Sequence, residues 1–289
     1  MRVGGGMDRI IAATDLTRRS AQVLGRAVRL ARAMGAAVEF VHVLAPRRAG
    51  VVRRALRPPP GPNALLDRLR HEAAAHEGVR IDCQVLEGKP EEALPALVET
   101  QGAGLIVLGL HKERRVLDLL RLTTMERIVL ASQTPVLIAH RPVTGDYARV
   151  LGSVTFSPTC ARALAVAAEL APAASIQAIH ALQVPLRDKL APTEPEQTRS
   201  MTEAEMLRTA FCAMDGVPAM QPEIVIGGVH EVLRFRIDEF RPDLLAMGTH
   251  SGRDPAVLGA YTRDLMRAPP CDMLVVKPPV SAPAEPPAV

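Results

Sequence analysis

The sequence makes one statement twice. An apolar run, Leu105–Gly109 (LIVLG), ends in glycine and is followed by a polar, basic loop, a helical segment and a second apolar run, Val136–Ala139 (VLIA). The same order returns as Leu244–Gly248 (LLAMG), a loop, a helical segment and Met273–Val276 (MLVV), with Gly109 and Gly248 139 residues apart. His42 and His180 are 138 apart, and Gly88 and Gly227 are 139 apart. A repeat of that length is a whole domain rather than a solenoid unit of roughly 20–50 residues. The 289-residue chain is therefore read as a tandem duplication, residues 1–143 and 144–278, with a Pro/Ala-rich tail over 279–289.

Within each copy, short apolar runs alternate with helical segments, which is the pattern of an α/β fold with a parallel sheet. Arg9–Ala13 reads as a first buried strand. Thr14-Asp15-Leu16-Thr17 reads as a turn with Thr17 as N-cap. Leu24, Ala27, Val28, Ala31 and Met34 then share one helical face, Gly35 is a stop, and Ala37–Leu44 is the second strand. Helices over 63–77 and 91–100 and a strand over 79–86 complete the first copy up to Leu105. In the second, Val150–Phe156 (VLGSVTF) reads as a strand and Ser157-Pro158 supplies an N-cap and a first-position proline for a helix to about Leu170. A strand over 175–182, a helix over 198–214 and a strand over 223–226 follow. The spacing predicts two α/β domains, each with a parallel sheet, divided near residues 141–149. The last runs, VLIA and MLVV, are apolar throughout. Left unpaired they would be exposed edges, so both are expected at an interface between copies or subunits.

Composition narrows the function. Aromatic residues make up 2% and Trp is absent, which argues against the stacking platforms of single-stranded nucleic-acid binders. No apolar run approaches the ~20 residues of a membrane span, and the first residues contain no apolar signal core. A cytoplasmic protein with neither membrane nor nucleic-acid partners is expected. Residues 1–143 hold 22 Lys+Arg against 14 Asp+Glu, and residues 144–289 hold 13 against 17. Apart from the arginine- and proline-rich stretch 46–62, read as a surface loop, the basic residues are scattered, as on a solvated surface. Cys83, Cys160, Cys212 and Cys271 are far apart and form no CxxC, so reduced thiols and no metal site are expected.

The segments IIAATDLT, FVHVL, LEGKPEEAL, LIVLGLH and TPVLIAH resemble the universal stress protein family in its UspA-like, tandem two-domain form. So do VTFSPTCARAL, AIHAL, DLLAMGTHSG and LGAYTRDLMRAPPCDMLVVKP in the second copy. The resemblance covers residues 8–143 and 149–278. It implies two Rossmann-like domains of the HUP, adenine nucleotide alpha hydrolase-like class, each a five-stranded parallel sheet flanked by helices. ATP, where the family binds it, lies at the carboxyl ends of the strands. The ATP-binding branch has an Asp after the first strand that contacts adenine. Its phosphate loop follows the pattern Gly-x-x-Gly, nine residues, Gly-Ser/Thr, in which glycine lets the backbone approach phosphate oxygens.

Carried onto this chain, the first copy keeps Asp15, Val43 beside adenine, Gly109 and Thr123. Lys112 and Leu122 stand where the second and third glycines would be. In the second copy Thr155 replaces the Asp, while Gly248, Ser251 with its neighbour Gly252, and Gly259 before Ala260 keep part of the loop. The resemblance thus implies a stress-response protein with degenerate nucleotide sites, ATP as the one cofactor in view, no catalytic residues, and an intramolecular pseudo-dimer or a homodimer. The alternatives are a scaffold without nucleotide or a slow ATPase. The sequence has no Walker A motif and no acidic pair after a strand to hold Mg²⁺. His111 and His250 read as loop histidines, and His42 and His180 as structural residues ending core strands.

Overall fold

The computed structural model describes residues 7–44, 60–110, 122–183, 194–249 and 258–278. The expected lead-in, most of the 46–62 stretch, the tail, and the residues His111, Lys112, His250, Ser251 and Gly252 lie outside these.

The first half contains strands β1 (Arg9–Ala13), β2 (Ala37–Leu44), β3 (Ile81–Glu87), β4 (Leu105–Gly109) and β5 (Val136–Ala139). Helices α1 (Ala21–Met34), α2 (Pro62–Ala73), α3 (Pro90–Gln101) and α4 (Thr124–Ala131) connect them. The second half repeats the plan with β6 (Arg149–Ser153), α5 (Pro158–Leu170), β7 (Ser175–Leu182), α6 (Glu194–Cys212) and β8 (Glu223–Ile226). It continues with α7 (Val229–Phe240), β9 (Leu244–Gly248), α8 (Ala260–Arg267) and β10 (Asp272–Val276). Local chemistry explains several boundaries. Gly35 and Gly102 end α1 and α3 in the left-handed conformation, at φ 69° and 64°. Ser157 accepts from the Cys160 N–H at the start of α5, with Pro158 in its first turn.

Two expectations shift. Thr17 does not cap α1, because a 3₁₀ turn, Arg18–Ser20, intervenes and Thr17 turns its hydroxyl to Asp15 instead. Strand β6 ends at Ser153 rather than running on through Phe156, whose φ of 58° cannot continue a strand.

All ten described strands form one sheet, ordered β3-β2-β1-β4-β5-β10-β9-β6-β7-β8. Within each half the strands are parallel. The halves meet where β5 and β10 pair antiparallel, Leu137 opposite Leu274 and Ile138 opposite Met273. The two sheets expected from the sequence are thus fused through their fully buried last strands. Because alternate residues of a strand face opposite ways, each apolar run feeds both faces. One core collects Val23, Phe40, Leu69, Leu137, Ala163 and Leu274, beneath α1, α2 and α5. The other collects Leu94, Ile128, Ile138, Leu233, Met266 and Met273, beneath α3, α4, α7 and α8. A smaller cluster around Phe211 seats α6 against α5.

Two buried carboxylates tie the halves together. Asp272 accepts from the Arg26 guanidinium (3.0 Å), the Tyr147 hydroxyl (2.8 Å) and the backbone N–H groups of His140 and Arg141 (2.8 Å each). Glu126, in the first turn of α4, faces Arg267 at 2.9 Å and Arg263 at 3.3 Å, both from α8.

Candidate functional site

The chain leaves β1 leftward to β2 and β3, then returns to lay β4 on the other side of β1. Such a reversal opens a crevice at the carboxyl ends of the two strands, where open α/β sheets take their ligands. A cavity of about 120 Å³ sits there in the first half. Its floor is Ala13 and Thr14 after β1, His42 and Val43 of β2, and Leu108 and Gly109 of β4. Pro90 and Leu94 of α3 and Thr124, Met125 and Ile128 of α4 wall it, with Asp15 and Ser20 at its rim. Asp15, Val43 and Gly109, three of the residues singled out from the sequence, are therefore brought together.

The turn carrying Asp15 is held in an uncommon shape. Leu16 has φ 58°, a strained conformation for a residue with a branched side chain, costing on the order of 1–3 kcal/mol. The Thr14 hydroxyl accepts from the Leu16 N–H at 3.0 Å. One carboxylate oxygen of Asp15 accepts from the Thr17 N–H (2.9 Å), the Thr17 hydroxyl (2.7 Å) and the Ser20 hydroxyl (2.8 Å). Asp15 thus builds the rim as well as facing the cavity. The His42 Nδ1 lies 2.9 Å from the Thr14 carbonyl. A carbonyl only accepts, so Nδ1 carries a proton there.

Thr123 sits beside the cavity as the cap of α4. Its hydroxyl accepts from the Glu126 N–H (3.2 Å), and Glu126 reaches back to the Thr123 N–H (2.5 Å), a closed capping box. Burial favours the protonated form of Glu126. The Arg267 hydrogen bond, the Thr123 N–H and the Arg267 charge outweigh this and hold its carboxyl below the ordinary value.

The second half has the same turn with different contents. Phe156 matches Leu16, again at φ 58°, and His180 Nδ1 lies 2.9 Å from the Val154 carbonyl as His42 does from Thr14. Thr155 stands where Asp15 does, and its N–H and hydroxyl approach the Cys160 sulfur at 3.4 and 3.5 Å. The Phe156 ring packs 4.5 Å from that of His180. Across the first turns of α7 and α8, His230 and Tyr261 meet edge to face at 4.4 Å, and burial pushes the Tyr261 hydroxyl up to about 12. Gly248 ends β9 and Gly259 precedes α8, joined through Thr249, whose N–H donates to Val276 and whose carbonyl accepts from Gly259. Packing accounts for the first of these glycines. A Cβ on Gly248 would lie 2.9 Å from the Thr159 methyl. Gly259 leaves the α8 N-terminus without a side-chain cap.

A model of the universal stress protein family matches residues 6–140 and 146–277. The chain belongs to the universal stress protein family. Among solved structures, a functionally unknown protein of Pseudomonas aeruginosa PAO1 is similar at 19% identity, covering 94% of this chain and 93% of its own, with a TM-score of 0.64. A universal stress protein of Archaeoglobus fulgidus DSM 4304 is similar at 16% identity, covering 94% and 98%, with a TM-score of 0.61. At those identities the likeness is one of fold, and both span the tandem pair. No curated protein matches the chain.

Sequence reasoning passed over Ser20 and Glu126 and read His42 as structural only. The pattern Thr123-x-x-Glu126 was visible as a capping box, but nothing local announced its arginine partners, 137 and 141 residues on. Among the described residues no helix is long and apolar enough to cross a membrane. No group of three or more His, Cys, Asp or Glu among them is placed to hold a metal ion.

Proposed function

We propose that this member of the universal stress protein family is a ligand-binding rather than a catalytic protein, working in the cytoplasm in stress response. The first half receives the base of an adenine compound, and the second half no longer recognises a base. The observation that carries this reading is the first-half cavity at the strand reversal, with Asp15 at its rim and Val43 and Gly109 in its floor. Thr155 in place of Asp15 and the ring of Phe156 against His180 support the loss of base recognition in the second half. The binding rather than catalytic role rests on the cavity's side chains. His42 is spent on a backbone carbonyl, and the Ser20 hydroxyl donates to Asp15, so neither is arranged as a nucleophile with its base.

Small molecules released from the purified, denatured protein should include an adenine compound, and calorimetry should detect binding of added adenine compounds. Asp15→Asn keeps an oxygen for the turn but removes the charge, and should weaken that binding at least tenfold. If no adenine compound is released and none binds, the reading is wrong. Steady phosphate release from ATP by the protein would replace it with an enzyme.

A further inference from the structure

The turn that places Asp15 at the cavity rim is held by two kinds of bond. Within it, the Leu16 N–H donates to the Thr14 hydroxyl, and Asp15 accepts from Thr17 and Ser20. These bonds shape the turn without fixing where it stands over the strands. Bonds to other elements do that. Its first residue is tied to β2: the Thr14 N–H donates to the Val41 carbonyl at 2.9 Å, and the His42 Nδ1 lies 2.9 Å from the Thr14 carbonyl. Beyond Asp15 the tie runs to α2 instead. There the Arg68 guanidinium, itself exposed, donates to the Leu16 carbonyl at 2.7 Å.

Leu16 is the residue of this turn that most needs holding. A leucine at φ 58° keeps that conformation only while its surroundings over-determine it. Its side chain packs, partly buried, against the core beneath α1 and α2, and its carbonyl takes the charge-assisted bond from Arg68. The second half secures the matching residue from the matching helix, by other means. Phe156 has the same φ, and its buried ring meets that of Phe211 on α6 at 5.7 Å. Helix α6 stands between β7 and β8 as α2 stands between β2 and β3. In each copy this helix therefore reaches the strained residue next to the rim, once with a guanidinium at the surface and once with a ring in the core. Two unlike contacts at one place in a duplicated fold point to a restraint that the turn requires.

We infer that Arg68 is a positioning residue for the first-half cavity: from α2 it holds the Leu16 peptide so that Asp15 stands where a bound ring can meet it. This rests on the reading of the cavity as a base-binding site. Arg68 acts through the turn and does not itself touch the ligand. Without its donor the Leu16 peptide relaxes toward negative φ, and the neighbouring Asp15 turns with it. Water competes for a bond made at the surface, so the Asp15 rim is the more easily loosened of the two, and the Phe156 rim, closed by ring packing, is the more fixed.

Arg68→Met removes the donors and keeps the length of the side chain. In native-state hydrogen exchange of the full chain, the Leu16, Thr17 and Ser20 amides of this variant should exchange about threefold faster or more, the worth of one exposed hydrogen bond. The amides of Ile11 in β1 and of Thr155 and Cys160 in the second half should be unaffected. Calorimetric titration with adenosine and with ATP should show both weakened by a similar factor, at an unchanged thermal midpoint. Arg68→Lys, which keeps a donor, should recover at least half of each loss. Unchanged exchange over residues 16–20 overturns the proposal, as does a lysine variant that recovers nothing. A loss confined to ATP also overturns it, because the guanidinium would then be meeting the phosphates directly. If the wild type binds no adenine compound, the base-binding reading fails by itself, and the exchange comparison still decides whether Arg68 holds the turn.

Discussion

Glu126 does two jobs at once, closing the N-terminus of α4 and pairing with arginines of the other half. Glu126→Ala removes both, taking away the buried carboxylate that Arg267 and Arg263 face, so a loss of about 3–5 kcal/mol is expected in chemical unfolding. Its acid sensitivity has a definite sign. The folded carboxyl lies below the ordinary glutamate value, so its contribution is complete above that value and is lost as pH falls through the folded one. The stability gap between wild type and Glu126→Gln should therefore shrink on acidification below about pH 4.5, and a gap that widens would contradict the assignment. Thiol reactivity makes a separate test. Cys212 is exposed, whereas Cys160 and Cys271 are buried, and burial first, then the Asp272 charge, pushes the Cys271 thiol up to about 12. Ellman's reagent should label Cys212 quickly in the native protein, and Cys160 and Cys271 only after unfolding.

At the scale of elements, the junction of β5 and β10 carries most of the consequence. Leu137 and Leu274 are fully buried and lie opposite one another, so Leu137→Ala should cost about 2–5 kcal/mol. Gly248→Val should cost about 1–3 kcal/mol through overpacking against Thr159, whether or not any anion is present, which calorimetric unfolding can establish. Strand positions were legible in the sequence because buried parallel strands are short, uniformly apolar runs between turn residues. The runs at Arg9–Ala13, Ala37–Leu44, Val136–Ala139 and Ser175–Leu182 match the observed strands. Helix starts were less legible. Thr17 and Asp15 both have the chemistry of a cap, and only the folded turn shows them bonded to each other. Of the site, Asp15, Val43 and Gly109 could be read from the order of motifs. The hydrogen bonds of His42, Thr14 and Ser20 could not, since they form only once the turn after β1 is folded against β2.

For the whole molecule, the two large cores are divided by the faces of the sheet rather than by the duplication, and each includes residues of both halves. Scanning calorimetry should accordingly give one cooperative transition, and two resolved transitions would show the halves to be independent. The same sheet reverses direction once, between β5 and β10, so the strands of one half run opposite to those of the other. The two crevices consequently open at opposite rims, and no single ligand can bridge them. In a symmetric pair of identical chains, any substitution would alter both crevices together. Here one polypeptide joins them, and each rim is free to drift alone. Asp15 at one rim and Thr155 at the other are what that freedom permits: a molecule with two unlike poles.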